Sequence, residues 1–330
     1  MSAGTGVGGS GGRIIGWGTA LPSGVRSNAD LEAHLDTTDE WITERTGIKE
    51  RRIGGTTSGL AAEAGRAAIE HAGVDPSSID LLILCTTSPD RTMPASASTV
   101  QALLGLDCGA FDLNAACSGF VYGLAAANGY IAMGSRRILL IGAETLDRIT
   151  DPDDRGTAIL FGNGGGAVVI DSVPEGEPAQ LLGWDVGSDG DAEHILYAEL
   201  GGYMQMDGRE VFRKAVRVMV QSANAAMERA GVKAEDIALV VPHQANIRII
   251  DSACDKLGFD REQTALVLQS TGNTSAASIP LALAEALDQG RVRDGDLVLL
   301  VGFGAGMTWA SAVLRWSDAG PVDVGQDASR

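Results

Sequence analysis

Ala67-Ala68-Ile69-Glu70-His71-Ala72-Gly73-Val74, followed by Ile79-Asp80-Leu81-Leu82-Ile83-Leu84, returns later in the chain as Ala225-Ala226-Met227-Glu228-Arg229-Ala230-Gly231-Val232, followed by Ile237-Ala238-Leu239-Val240-Val241. The spacing is 225 − 67 = 158 residues. In each copy a helix runs into a glycine, the residue that most readily takes the left-handed conformation closing a helix. A short loop then feeds a continuous apolar run, the pattern of a central strand covered on both faces. The copies stay in step. Cys117-Ser118-Gly119 opens an apolar helix that ends near Gly134, with a strand over 138–141 after it. Asn273-Thr274-Ser275 opens another that ends near Gly290, with a strand over 297–301 after it. This second spacing, 273 − 117 = 156, pairs Cys117 with Asn273 at matching helix starts. His243 pairs with Cys85, since 243 − 85 = 158. Helices alternating with apolar strands predict an α/β chain of two similar halves, residues 13–172 and 173–316. The stretches 1–12 and 317–330 carry no apolar period and read as flexible tails.

The bulk numbers narrow the function. The 330 residues carry a formal charge of 25 − 43 = −18, which argues against general nucleic-acid binding. No apolar run approaches the roughly 20 residues that span a bilayer, so no membrane association is expected. The Gly/Ser-rich start lacks the basic and apolar regions of a signal peptide. Four cysteines (Cys85, Cys108, Cys117, Cys254), none in a CxxC pair, make neither a disulfide framework nor a zinc site. The reading is a chain of the reducing cytoplasm with free thiols and no metal site.

Three polar residues stand at the corners of this pattern. Cys117 lies in Asn114-Ala115-Ala116-Cys117-Ser118-Gly119-Phe120, crowded by small residues that leave room for a substrate. At a helix N-terminus the unpaired N–H groups favour negative charge, so the thiol there is expected to lose its proton more easily. Cys85, inside an apolar run, reads as core packing. His243, in Val240-Val241-Pro242-His243-Gln244-Ala245-Asn246, tops a strand that proline ends, and ligands bind at strand ends in α/β sheets. His34, His71 and His194 lack such a setting. Asn273 suits a helix cap, and its amide can still donate to a substrate oxygen. Glycine clusters at 162–166 and 302–306 match neither a dinucleotide fingerprint nor a phosphate loop. The Gly304-Ala305-Gly306 backbone can approach a ligand closely and offer N–H groups as an oxyanion hole.

Taken together, these segments resemble the thiolase superfamily, and within it the β-ketoacyl–acyl carrier protein synthases III. The motifs are Asp39-Glu40-Trp41-Ile42 with Arg45-Thr46-Gly47-Ile48, Ala116-Cys117-Ser118-Gly119-Phe120, Asp154-Arg155-Gly156-Thr157, His243-Gln244-Ala245-Asn246, Gly272-Asn273-Thr274-Ser275-Ala276-Ala277-Ser278-Ile279-Pro280, and Gly304-Ala305-Gly306-Met307-Thr308-Trp309. The resemblance implies a thiolase-like five-layered αβαβα fold, a homodimer and a Cys117-His243-Asn273 triad. It also implies condensation of an acyl-CoA primer with malonyl–acyl carrier protein through an acyl-cysteine, without cofactor. Oxyanion donors would come from Cys117 and Ala305. Trp41, Arg45 and Arg155 would grip coenzyme A. Met93 stands where the family lets the partner subunit close the acyl pocket, and many members have an aromatic residue there. Arg209, Arg213, Lys214, Arg217, Arg248 and Lys256 form basic islands in an acidic chain, which the resemblance makes a dock for an acidic carrier protein. Alternatives are a starter-unit synthase or acyltransferase of a secondary-metabolite pathway, a thioester hydrolase and a non-catalytic scaffold. A scaffold would be expected to lose Cys117 or His243.

Overall fold

The structure is a computed structural model and describes residues 11–174 and 176–321. Its first sheet is built from β1 (Gly12–Ala20), β2 (Leu81–Cys85), β3 (Gly109–Leu113), β4 (Arg137–Glu144) and β5 (Gly164–Ser172), in the order β1-β5-β4-β2-β3. The second holds β6 (Leu181–Ser188), β7 (Ile237–Pro242), β8 (Leu297–Gly304) and β9 (Thr308–Arg315), in the order β7-β8-β9-β6. The main helices are α1 (Asp39–Thr46), α2 (Thr57–Ala72), α3 (Ser96–Leu104), α4 (Gly119–Ala132), α5 (Gly208–Ala230), α6 (Ile247–Leu257) and α7 (Ser278–Asp288). Helices α2 and α3 cover the outer face of the first sheet, α5 and α6 that of the second, and α4 and α7 fill the space between the sheets. This is the five-layered αβαβα arrangement.

Sequence chemistry assigns each layer. Helix α4 carries no charged residue, and nine of the eleven residues of α7 are buried, because two sheets cover each of them. Helix α5 is amphipathic: Val211, Ala215, Val218, Met219 and Ala226 pack on the sheet while its lysine and arginines face outward. Strands β4 and β5 are buried along almost their whole length, as expected of covered central strands. The predicted glycine stops hold, with Gly73 and Gly231 at φ 66° and 69°.

The two sheets repeat one plan. Strand pairs β2/β4 and β7/β8 are parallel, while β4/β5, β8/β9, β5/β1 and β9/β6 are antiparallel. Among the described residues, only β3 lacks a strand counterpart. In its place Thr264 makes a single parallel bridge to Val240, flanked by bonds from Val240 N–H to Gln263 (2.7 Å) and from Ala265 N–H to Val240 (2.8 Å).

The expected pairing of Cys117 with Asn273 is corrected. Asn114 Oδ1 accepts the Ala116 N–H, and Asn273 Oδ1 accepts the Ser275 N–H. Ala116 and Ser275 share φ 48°, and α4 and α7 start at Gly119 and Ser278. All three correspondences have a spacing of 159 (273 − 114, 275 − 116, 278 − 119), so Cys117 corresponds to Ala276. Sequence signals place a helix start to within a few residues, whereas the turn geometry assigns it residue by residue.

The tail boundaries also shift. Gly12 already pairs with Ser172 in β1, and residues 1–10 of the expected N-terminal tail lie outside the described residues. Of the expected C-terminal tail, Asp318 accepts from Trp316 Nε1 (2.9 Å) and its N–H donates to Asp294 (3.0 Å), while the Gly320 carbonyl accepts from Arg13 (2.9 Å). Residues 322–330 lie outside the described ones.

The halves meet backbone to backbone. A Cβ added at Gly142 in β4 would lie 2.3 Å from the Ala276 carbonyl oxygen. Any side chain there forces the turn ahead of α7 away from the first sheet. Gly142→Ala is therefore expected to destabilise the chain by about 1–3 kcal/mol, read as a lowered urea midpoint at fixed protein concentration. An unchanged midpoint would show that this contact is loose.

Candidate active site

Cys117 sits in a tight turn, Ala116–Ser118, directly before α4. Ala116 takes φ 48°, a left-handed conformation that costs an alanine about 1–3 kcal/mol. Neighbours hold the turn in place. Ser118 Oγ and Thr308 Oγ1 lie 2.8 Å apart, and both reach the Ala115 carbonyl, at 2.7 and 2.9 Å. On the other side β8 ends at Gly304, where an added Cβ would lie 2.5 Å from the Cys117 nitrogen. The Gly304 backbone therefore lies against the Cys117 nitrogen.

His243 follows β7 and is buried. Its N–H donates to the Val301 carbonyl (2.8 Å), its Nδ1 lies 2.6 Å from Ser278 Oγ, and Phe303 packs edge-on at 5.3 Å between ring centroids. Asn273 is tied on three sides. Its N–H donates to the Leu160 carbonyl (2.8 Å), its carbonyl accepts from Gly162 (3.0 Å), and its Oδ1 accepts from Ser275 (2.9 Å). That last bond orients the side chain and leaves the amide Nδ2 for the cavity. Beneath it, Arg51 is fully buried and donates twice to the Ile159 carbonyl, at 2.9 and 2.6 Å, and once to Asn28 Oδ1 at 2.6 Å. Arg51 thus anchors the segment on which Asn273 hangs.

The fold brings all three predicted residues to one cavity of about 470 Å³. Cys117, His243 and Asn273 form its buried end. Phe212, Met206 and Ile249 line its wall, and Trp41, Arg45, Arg209 and Arg248 lie toward its open end. Trp41 is flanked by two guanidinium groups, Arg45 at 5.4 Å and Arg155 at 5.1 Å from its ring. The apolar wall residues sit in three separate segments, so no motif announced them. Met93 is 80% exposed and does not line this cavity. The basic residues part company. Arg213 pairs with Glu210 (2.6 Å) and Lys214 with Asp189 (3.0 Å). Arg248 stacks over Phe212 at 5.8 Å, while Arg217 and Lys256 are exposed.

The second half-site is closed. The position equivalent to Gly304 is Glu144 (304 − 144 = 160), a buried carboxylate. It accepts from Thr86, Thr87 and Ser88, and from the Ala276 N–H at 3.4 Å. The N–H that matches that of Cys117 is thus occupied by the protein's own carboxylate. No sequence motif marked Glu144.

Burial decides the protonation states. Desolvation, with a smaller contribution from the Glu144 charge, pushes the Cys117 thiol up to about 12, and the Ser275 hydroxyl opposes this only in part. The expectation that the helix start eases its ionisation is reversed: desolvation of the buried thiolate raises the thiol instead. Desolvation likewise pushes His243 down to about 3. The resting site is a neutral thiol beside a neutral imidazole. Among the described residues no group of three His, Cys, Asp or Glu could hold a metal ion, and no helix is long and apolar enough to cross a membrane.

A thiol pKa raised above its ordinary value leaves only a trace of thiolate at neutral pH. The alkylation rate of Cys117 by iodoacetamide is therefore expected to climb steadily from about pH 7 to about pH 9, roughly tenfold per unit. A plateau in that range would overturn the assignment of a neutral resting thiol.

Comparison with known proteins places this geometry. Residues 111–190 match the family model described as 3-oxoacyl-[acyl-carrier-protein (ACP)] synthase III, and residues 227–316 match the model of its C-terminal part. A β-ketoacyl-[acyl-carrier-protein] synthase III of Roseiflexus castenholzii is 47% identical over 324 residues, 92% of this chain and 98% of that protein. The enzyme of the same name from Brucella suis is 48% identical over 319 residues, with the same coverage. Among solved structures, the 3-oxoacyl-[acyl-carrier-protein] synthase III of Aquifex aeolicus superposes with a TM-score of 0.89 at 44% identity, covering 93% of this chain and 100% of that one. The priming β-ketosynthase of the R1128 polyketide biosynthetic pathway also reaches 0.89, at 35% identity, covering 96% and 99%.

Proposed function

The chain belongs to the 3-oxoacyl-[acyl-carrier-protein] synthase III family, and on that premise we propose that Cys117, His243 and Asn273 divide its condensation chemistry between them. The activity is that of a β-ketoacyl-[acyl-carrier-protein] synthase III, an acyltransferase of fatty acid synthesis. Cys117 sulfur attacks the thioester of the acyl-CoA primer, and the coenzyme A thiol leaves with the proton. Because the resting thiol is protonated, its proton must depart as the sulfur–carbon bond forms. The N–H groups of Cys117 and Ala305 hold the tetrahedral oxyanion. Malonyl–acyl carrier protein then enters and loses CO₂. The electron pair left behind forms an enolate, whose oxygen takes hydrogen bonds from His243 and Asn273. Those bonds strengthen as charge develops, which lowers the barrier. The enolate carbon attacks the acyl-cysteine and the carbon–sulfur bond breaks, freeing the β-ketoacyl product and a Cys117 thiolate that takes a proton from solvent to return to the resting thiol. No step changes an oxidation state, so the reading invokes neither metal nor redox cofactor.

One observation carries this reading: a thiol, an imidazole and a carboxamide share the buried end of one cavity whose open end carries Trp41, with the guanidinium groups of Arg45 and Arg155 at 5.4 and 5.1 Å from its ring. That tryptophan suits stacking on the adenine of coenzyme A, and the arginines suit its phosphates. Arg213, Lys214, Arg217, Arg248 and Lys256 would receive the acidic carrier protein; Arg248, at the cavity itself, is best placed to meet its prosthetic arm. A homodimer is supported by the outer edge of β3, unpaired among the described residues, and by the exposed Met93, which a partner subunit would cover and place at its own acyl pocket. Four free cysteines suit a cytoplasmic location. A starter-unit ketosynthase of a polyketide pathway would keep the same site; 35% identity to a priming ketosynthase, against 44–48% to the relatives above, places it second.

Intact-mass spectrometry tests the division of labour. Acyl-CoA is expected to leave an acyl adduct on Cys117, absent in Cys117→Ala and discharged by malonyl–acyl carrier protein. His243→Ala is expected to acylate near the native rate yet lose condensation by about 10²–10³-fold, the cost of one missing oxyanion donor. An adduct on Cys85 or Cys254 would refute the nucleophile. A His243→Ala protein that decarboxylates normally but fails to acylate would reverse the roles. Trp41→Ala is expected to raise the KM for acyl-CoA by roughly tenfold, about 1.4 kcal/mol, with kcat nearly kept; an unchanged KM would remove Trp41 from the coenzyme A site.

A further inference from the structure

We propose that Ser278 sets the tautomer of His243, keeping the ring proton on Nε2 where it faces the cavity. Ser278 is the first residue of α7 and is fully buried. Its Oγ lies 2.6 Å from His243 Nδ1 and accepts the Gln244 N–H at 3.3 Å. Among the described residues, Nδ1 is the one acceptor within reach of the Ser278 hydroxyl hydrogen. With a lone pair of Oγ already engaged by Gln244, the hydroxyl donates to Nδ1. A neutral imidazole that accepts at Nδ1 carries its proton on Nε2. The opposite arrangement would leave a buried hydroxyl hydrogen with no acceptor, which is costly.

The duplicated half provides an internal control. The counterpart of His243 is Cys85 (243 − 85 = 158), and the counterpart of Ser278 is Gly119 (278 − 119 = 159). A Cβ added at Gly119 would touch the Cys85 Cβ at 3.4 Å, so the same helix start lies over the same strand end in both halves. A hydroxyl stands there only in the half that holds the imidazole. Asn273 is five residues before Ser278 on the same turn, and its Nδ2 is left for the cavity by the bond from Ser275. One turn therefore orients both donors toward the same space. Ser278 acts through His243 as a positioning residue and does not itself reach the substrate.

This proposal rests on the reading of His243 as an enolate donor, and the tests separate the two. In the full-length protein labelled with ¹⁵N-histidine, the His243 signals, assigned by their loss in His243→Ala, are expected to show a protonated Nε2 and an unprotonated Nδ1. Ser278→Ala is expected to shift those signals toward a mixture of tautomers. It should also slow decarboxylation of malonyl–acyl carrier protein by the acylated enzyme about 10- to 100-fold, less than loss of a whole donor, with Cys117 acylation within about twofold of native. Ser278→Thr, which keeps the hydroxyl, is expected to restore the Nε2–H signature and most of the rate. A native spectrum with the proton on Nδ1 overturns the proposal even if Ser278→Ala does not fold. So does a folded Ser278→Ala that decarboxylates at the native rate. A His243→Ala protein that decarboxylates normally would instead sink the donor reading and leave the tautomer assignment standing.

Discussion

Each half of this protein presses the turn that opens its central helix against a strand end of the other half, and it does so at positions without side chains. Gly142 faces the Ala276 carbonyl and Gly304 faces the Cys117 nitrogen, both at distances no Cβ tolerates. These two contacts fix how far apart the sheets stand and how α4 and α7 lie between them. They also create the site. At Gly304 the strand end meets the Cys117 turn with backbone alone. The left-handed Ala116 and Ser275 hold the two turns in the shape this approach needs. A strained residue persists where the packing around it leaves no alternative.

A symmetric frame yields one working centre because four paired positions are filled differently. Cys117 answers to Ala276, His243 to Cys85, Gly304 to Glu144 and Ser278 to Gly119. On one side these choices assemble a thiol, an imidazole, a strand end without a side chain and a hydroxyl behind the imidazole. On the other side they assemble apolar packing around Cys85, with a buried carboxylate on the matching N–H. Glu144 also ties the segment Thr86–Ser88, which leads on toward Met93, to the turn that carries Asn273. The closed half-site thereby supports the open one. Burial sets the electrostatics of the pair that results. Desolvation pushes the buried thiol up and the buried imidazole down, so both are neutral at rest.

The repeat at residues 67 and 225, its glycine stops and its apolar strands predicted the α/β architecture, since those signals are local: hydrophobic period, helix closure and strand burial are written in neighbouring residues. Cys117, His243 and Asn273 were legible for the same reason, each standing at a helix start or strand end in a recognisable local setting. The pairing of Cys117 with Asn273 failed because it used helix starts as landmarks, and those are blurred by a few residues until backbone torsions and the two asparagine-capped turns define them. The tail boundaries failed similarly: Trp316, Asp318 and Arg13 make contacts that depend on partners far along the chain.

Sequence alone thus determined the elements, the duplication and the three polar side chains that meet in the cavity. Tertiary structure decided the rest: the direction of the Cys117 ionisation, the closure of the second half-site by Glu144, the anchoring of Asn273 through Arg51, and the placing of Ser278 behind His243. The first three depend on what lies across the interface between the halves, and the last on a helix start folded back over a strand end of the same half. Desolvation and hydrogen-bond partnership at a buried site are properties of three-dimensional neighbours, often more than 100 residues apart in the chain, and no short stretch of residues encodes them.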